Sequence, residues 1–263
     1  MDTSIVIFTK VPIPGLVKTR LTHNTCLTNY DSAKIAEAML KDTVCLASKT
    51  KADAIQIGYF PKEKLTTLTN ILNHITQNCN VNQEIELIFQ NGTNFDQRFG
   101  YIVKRCFEKG IKQIVILGAD LPFLDPRIID SAFNLLGEHI NKNPVILGPS
   151  NGGGIYLVGI TPAFQSQWFS EYNLFTKGPE LINFANLRKS KGFFLNTFPP
   201  YGDIDIEEDL VSLISYIGFL EHSDNNKGFY FPHYTAAIIE ELGIYINEEQ
   251  NKTRRRRISK RER

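Results

Sequence analysis

The stretch Gln113-Ile114-Val115-Ile116-Leu117-Gly118-Ala119-Asp120-Leu121-Pro122 (QIVILGADLP) decides how this chain is read. Ile114 to Leu117 offer no polar face, so they suit a strand covered on both sides, as at the centre of a parallel sheet. The strand ends on Gly-Ala-Asp-Leu-Pro, where open α/β sheets hold their ligands beyond the carboxyl ends of the strands. Asp120 is thus a carboxylate delivered to a crevice rim, suited to Mg²⁺, which commonly takes one or two carboxylates plus substrate phosphates. A turn-capping role for the same side chain stands beside that reading.

Outward from this strand, apolar runs alternate with helical patterns. Ile5 to Phe8, Ala54 to Phe60, Ile85 to Phe89, Val145 to Leu147, Ile155 to Ile160 and Phe193 to Phe198 read as strands. Asp31 to Ser48, Lys62 to Gln77, Phe95 to Lys109, a segment opened by Asp125-Pro126, Pro179 to Ser190 and Glu207 to Leu220 read as helices. Strands alternating with helices argue for an open α/β sheet.

The composition is that of a globular protein, with 42% hydrophobic and 22% charged residues in 263. No apolar run approaches the roughly 20 residues of a membrane span, and the N-terminus lacks the basic region of a signal peptide. The four cysteines form no CxxC pair, which suits reduced thiols and a cytoplasmic protein. The five histidines lack metal-ligand spacing, and there is no GxSxG, complete P-loop or GxGxxG. The net charge of +1 conceals an asymmetry: eight Lys/Arg against one Glu in the last twelve residues. That tail is expected to be disordered from Glu248, either simply solvated or in weak, non-specific, salt-sensitive contact with nucleic acid. Residues 1–220 are expected to form the main domain, 221–247 an extension with one helix near Tyr234 to Leu242, and 248–263 the basic tail.

Three further segments carry candidate chemistry. Val11-Pro12-Ile13-Pro14-Gly15-Leu16-Val17-Lys18-Thr19-Arg20-Leu21 follows the first strand directly. If its prolines keep it extended, Lys18 and Arg20 face one side and can hold a polyphosphate, with Lys10 beside them. A solvated turn is the plain alternative. In Asp203-Ile204-Asp205-Ile206-Glu207-Glu208, the carboxylates of Asp203 and Asp205 would converge if extended, and such a pair calls for a cation. Asp205 and Glu208 also fit a helix capping box. Gly152-Gly153-Gly154 allows close backbone approach to a ligand, or makes a flexible connection.

The order of these motifs, PxPGxxKTRL, GADLP, GPxxGGGxYLxG and DIDxxEDL, resembles the glycosyltransferase-A-like (GT-A), nucleotide-diphospho-sugar transferase superfamily. Within it the chain is most similar to the selenodomain-associated (arsenosugar-biosynthesis-type) transferases, and its Gln90 to Arg98 segment resembles a motif of theirs. The glycine run and the DIDxxEDL ending also resemble CofC, the 2-phospho-L-lactate guanylyltransferase. The resemblance spans about residues 4 to 220. It implies a three-layer α/β/α Rossmann-like fold with a mostly parallel sheet. It further implies Mg²⁺ (or Mn²⁺) held by Asp120, Asp203 and Asp205, and a nucleotide held by Lys10, Gly15, Lys18, Arg20, Arg98 and Gly152 to Gly154. Lys18, Arg20 and Asp120 would serve catalysis. The activity implied is transfer of a nucleotidyl group from a nucleoside triphosphate to a small phosphorylated or hydroxylated acceptor, or glycosyl transfer from a nucleotide sugar. Gly152 stands where the transferase family usually has an aspartate, which is the ground for a third reading, a nucleotide- or partner-binding domain without catalysis.

Overall fold

The computed structural model describes residues 2–223, 230–248 and 256–261. Seven strands form one sheet: β1 (Thr3–Lys10), β2 (Ala54–Phe60), β3 (Glu84–Phe89), β4 (Gln113–Gly118), β5 (Val145–Pro149), β6 (Ile155–Ile160) and β7 (Leu195–Thr197). Their spatial order is β3-β2-β1-β4-β6-β5-β7. All neighbours run parallel except β6, which is antiparallel to both β4 and β5. The chain moves from β1 outward through β2 and β3, then returns to lay β4 on the other side of β1. That reversal opens a crevice at the carboxyl ends of β1 and β4.

Alternation along the strands divides the core. Ile5, Ile7, Ile55, Ile57, Val115 and Leu117 face α1 (Asn29–Ser48), α2 (Leu65–Asn78) and α4 (Pro126–Glu138). Val6, Ile88, Ile114 and Ile116 face α3 (Phe95–Glu108), the short α5 (Trp168–Glu171) and α6 (Glu180–Lys191). This is the three-layer α/β/α architecture, of GT-A type. The apolar run Ile114 to Leu117 is covered on both faces, as its lack of polar residues requires. Asp125 caps α4 as expected, accepting from the Arg127 backbone N–H at 2.9 Å with Pro126 in the first turn.

Helix α1 is covered on a second side as well. α7 (Glu207–Glu221), α8 (His233–Glu241) and the antiparallel pair β8 (Ile244–Glu248) and β9 (Arg256–Lys260) pack over its outer residues Ile35 and Met39. A helix so enclosed is apolar around most of its circumference.

Here the sequence expectation needs correction. The extension holds a strand besides its helix, and part of the tail expected to be disordered is the strand β9. Ile258 supplies the reason: it is 5% exposed, in a cluster with Leu21, Met39 and Ile204. Arg257 Nε lies 2.8 Å from Glu207 Oε2, and Lys260 Nζ lies 3.0 Å from Asp31 Oδ1. Two tail cations are thus committed to the body, and nothing among the described residues supports a nucleic-acid contact. The remainder of the tail, 249–255 and 262–263, and most of the polar 222–228 segment fall outside the described residues.

Because Ile258 shares its cluster with Leu21 and Ile204, each next to a candidate site residue, β9 braces that side of the crevice. Ile258→Ser is expected to cost about 3 kcal/mol, from the lost apolar burial and the buried hydroxyl. Urea unfolding of the full chain checks this.

Candidate functional site

The loop after β1 departs from the extended course expected of it. Pro14 and Gly15 occupy the centre of a turn closed by Leu16 N–H donating to Ile13 O at 3.0 Å. Lys18 then takes a left-handed conformation (φ 47°, ψ 35°), and Thr19–Thr22 wind into a single 3₁₀ turn. Lys18 and Arg20 therefore do not project side by side. Lys18 turns inward, with 14% of its side chain exposed, and Arg20 stays outside at 68%.

They nevertheless meet on one carboxylate. Lys18 Nζ lies 3.0 Å from Asp120 Oδ2 and 3.8 Å from Asp205 Oδ1, while Arg20 Nη1 donates to Asp205 Oδ2. Burial works to strip the Lys18 proton, but the charge and hydrogen bond of Asp120, then the charges of Asp205 and Asp203, outweigh it. The ammonium is held above its ordinary range.

The carboxylates owe their places to backbone contacts. Ile204 N–H donates to Asp120 O at 3.0 Å, and the Ile204 side chain is 2% exposed in the core. Pinned there, the segment sets Asp203 and Asp205 on either side of the Asp120 strand end. The capping box expected of Asp205 and Glu208 is not formed. Asp209 accepts instead from the Asp205 and Ile206 backbone N–H groups, both at 2.9 Å, which leaves the Asp205 carboxylate to the cations.

Two cavities share Asp120 and Phe8. One, of about 380 Å³, is lined by Lys10, Lys18, Arg20, Asp120 and Asp205. The other, of about 430 Å³, takes in Asp120 and Asp203 together with Phe95, Phe99, Tyr156 and Phe175. Asp203 thus opens toward the second cavity rather than converging with Asp205 on one point. Burial, and then the negative charge of Asp120, push the Asp203 carboxyl above its ordinary range.

The other predicted residues stand apart. Gly15 serves its turn and lines neither cavity. Gly152 and Gly153 have φ of 68° and 84°, values that favour glycine, in a tight turn closed by Ser150 N–H to Gly154 O at 2.8 Å. They too lie outside both linings, so the run is explained by the turn. Arg98 stacks its guanidinium 4.8 Å from the Phe60 ring centre, and its buried Nε has no partner among the described residues.

Sequence reasoning missed what fixes the walls. Gln90, 2% exposed, donates its amide to Thr9 O at 2.9 Å and Gly58 O at 2.8 Å, tying together the ends of β1 and β2. Asp96, 1% exposed, accepts from Phe175 N–H at 2.8 Å and from the Thr176 hydroxyl. Buried polar residues at strand ends and helix starts are the signal that could have found both.

Gly118 gives a direct handle on the site. A Cβ there would stand 2.5 Å from Asp120 Oδ1. The carboxylate can swing aside, so Gly118→Ala is expected to leave thermal stability within about 1 kcal/mol. It should break the Lys18–Asp120 contact and lower turnover at least about tenfold, since misplacing a catalytic group by an ångström costs about that or more. Melting curves beside steady-state rates check both halves.

Among the described residues no group of three or more His, Cys, Asp or Glu is gathered closely enough to hold a metal ion. Asp120, Asp203 and Asp205 are therefore not gathered as a three-carboxylate site, Asp205 lining the first cavity and Asp203 the second. What remains is a pair, Asp120 and Asp203. The like charge of Asp120 disfavours ionisation of Asp203, a pairing that a divalent cation with phosphate oxygens would relieve. The residues present fit such an ion.

With this geometry in view, the chain can be set beside known proteins. Residues 61–175 match a family described as uncharacterized proteins conserved in bacteria (DUF2064). That match takes in Asp120 but not the cation loop or Asp203. No curated protein matches. A structure from Desulfovibrio desulfuricans G20, provisionally described as a nucleotide-diphospho-sugar transferase, is similar at TM-score 0.73 and 21% identity. The likeness covers 92% of this chain and 95% of that one. The two chains share one fold. A cytidylyltransferase from Leptospira borgpetersenii serovar Hardjo-bovis follows at TM-score 0.53 and 16% identity, covering 92% of this chain and 94% of its own. The 4-diphosphocytidyl-2C-methyl-D-erythritol synthase of Anaerococcus prevotii gives 0.55 and 12%, covering 82% and 96%. No helix of the described residues is long and apolar enough to cross a membrane.

Proposed function

We propose that residues 1–220 form a nucleotidyltransferase that moves a nucleoside monophosphate from a nucleoside triphosphate to a small acceptor and releases pyrophosphate, in the cytoplasm. One observation carries the reading. A buried, charged Lys18 stands against Asp120 at the head of the central strand, with Lys10 and Arg20 lining the same cavity. The names of two structurally similar proteins, a cytidylyltransferase and a 4-diphosphocytidyl-2C-methyl-D-erythritol synthase, support it, as does the resemblance of the sequence motifs to those of CofC and the selenodomain-associated transferases.

In this reading Lys18 and Arg20 exchange their carboxylate partners for the β- and γ-phosphates of the donor. Lys18 acts as a point charge and Arg20 as a fork. As the bond to the leaving group breaks, negative charge gathers on the pyrophosphate, where the two cations already stand. Released from Lys18, Asp120 turns to the α-phosphate side, where Asp203 faces it across the second cavity. A bound Mg²⁺ or Mn²⁺ there would be held by Asp120 and Asp203 and would supply charge stabilisation at the α-phosphate. No protein nucleophile is required.

A second reading, glycosyl transfer from a nucleotide sugar, draws on the Desulfovibrio structure, and the same cations would hold a diphosphate. Purified protein incubated with Mg²⁺ and each nucleoside triphosphate, or with UDP- and GDP-sugars, separates the two. Nucleotidyl transfer releases pyrophosphate; release of nucleoside diphosphate from the sugars would overturn it in favour of glycosyl transfer.

A further inference from the structure

The second cavity differs in chemistry from the one beside it. Five rings line it: Phe8 at the end of β1, Phe95 and Phe99 at the start of α3, Tyr156 on β6 and Phe175 before α6. The four phenylalanines form a continuous wall, with ring centres 5.1 Å apart for Phe8 and Phe95, 5.2 Å for Phe95 and Phe175, and 4.6 Å for Phe99 and Phe175. Phe95 is 38% exposed although it is apolar, because its ring faces this opening. The wall is fixed from behind, since Asp96 holds the Phe175 segment through its backbone N–H.

The charged groups are all of one sign. Asp120, Asp203 and Glu180 line the cavity, and no lysine, arginine or histidine does so among the described residues. With a divalent ion and the donor's α-phosphate at Asp120 and Asp203, the rest of the cavity offers an acceptor's own phosphate no cation, only rings and Glu180, and it would lose its hydration uncompensated. An uncharged ring-bearing molecule would instead cover apolar ring surface. A hydroxyl on it would find acceptors in the carboxylates, and bonds to charged acceptors are the stronger kind.

We propose that this ring-lined cavity receives the acceptor, and that the acceptor is an uncharged alcohol with a flat apolar body, phosphorylated acceptors being excluded. This rests on the nucleotidyl-transfer reading. The alcohol oxygen forms a bond to the α-phosphorus of the triphosphate. The bond from that phosphorus to the pyrophosphate bridging oxygen breaks, its electron pair leaves with pyrophosphate, and the hydroxyl proton passes to water.

The test uses the full chain with Mg²⁺, the four common nucleoside triphosphates, and two probes at equal concentration, 2-phenylethanol and glycerol 3-phosphate. The expected result is pyrophosphate release raised at least tenfold by 2-phenylethanol and unchanged by glycerol 3-phosphate. Phe95→Ala, at an exposed position the fold tolerates, should raise KM for the alcohol about tenfold and leave KM for the nucleotide unchanged. Equal or better use of glycerol 3-phosphate overturns the proposal. So does a Phe95→Ala effect on the nucleotide alone, which would make the cavity a base pocket. Should no triphosphate turn over, the transfer reading fails by itself. Saturation-transfer NMR of 2-phenylethanol with the wild type and Phe95→Ala then decides the cavity: signal lost in the variant supports the proposal, and no signal in the wild type overturns it.

Discussion

Lys18→Met is expected to lower kcat/KM for nucleotidyl transfer about 100- to 1,000-fold, the usual consequence of removing one preorganised group that meets developing charge. The ammonium is buried beside Asp120, so it needs no reorganisation when a leaving pyrophosphate gathers charge. The loss should appear in kcat as well as KM, because the interaction strengthens as the bond breaks. Stability should change little, since Asp120 and Asp205 keep 30% and 34% of their side chains exposed and water can take up their charge. Arg20→Ala should cost about tenfold, mainly in KM, because its side chain is 68% exposed and solvent screens its pull. Steady-state kinetics of the two variants side by side measure the difference.

A large stability effect is also expected away from the site. Asp42, fully buried in α1, accepts from Thr235 N–H and the Thr235 hydroxyl, both at 2.7 Å, and from Tyr234 N–H at 3.1 Å. These contacts fasten the first turn of α8 to the body. Asp42→Ala removes the acceptor for three donors at once, at an expected cost of about 3 kcal/mol. Burial also pushes the Asp42 carboxyl up to about 7, against the hydrogen bonds of Thr235 and Tyr234 and the charge of Lys41, which favour ionisation. An acid raised in the folded state binds more protons there than when unfolded. Its contribution is full below the unfolded value of 3.8 and is lost as pH rises through about 7. The stability of the wild type relative to Asp42→Asn should therefore fall between pH 5 and 7.5 in urea titrations.

The sheet was legible because its strands are short aliphatic runs bounded by turn residues, and periodicity reports such runs directly. Asp120 was legible for the same reason: a carboxylate directly after four aliphatic residues has one place to go. The conformation of the cation loop was not. Its prolines spoke for an extended chain, but the pairing of Lys18 with Asp120, 102 positions away, requires the left-handed turn at Lys18 that no local rule favours. Likewise the acidic Asp205-Ile206-Glu207-Glu208-Asp209 run offered several carboxylates for one cap, and the helix begins one residue later than the Asp205–Glu208 spacing implied, so Asp209 takes it. Ile258 shows why a basic tail need not be unstructured: one apolar residue with a hydrophobic seat, flanked by cations with buried carboxylates to meet, suffices to dock a strand. The ring-lined cavity escaped notice because its rings lie on four separate segments, and only Phe95 and Phe99 share a helical spacing.

The central claim is that the Lys18 cavity holds the phosphates of a nucleotide alongside a divalent ion on Asp120 and Asp203. Calorimetric titration of each nucleoside triphosphate into the wild type, Lys18→Met, Asp120→Asn and Asp203→Asn, with and without Mg²⁺, tests it most directly. Binding is expected in the wild type, at least about tenfold weaker in Lys18→Met, with the Mg²⁺ dependence lost in the two Asp→Asn variants. Equal affinity in all four proteins, indifferent to Mg²⁺, would contradict it.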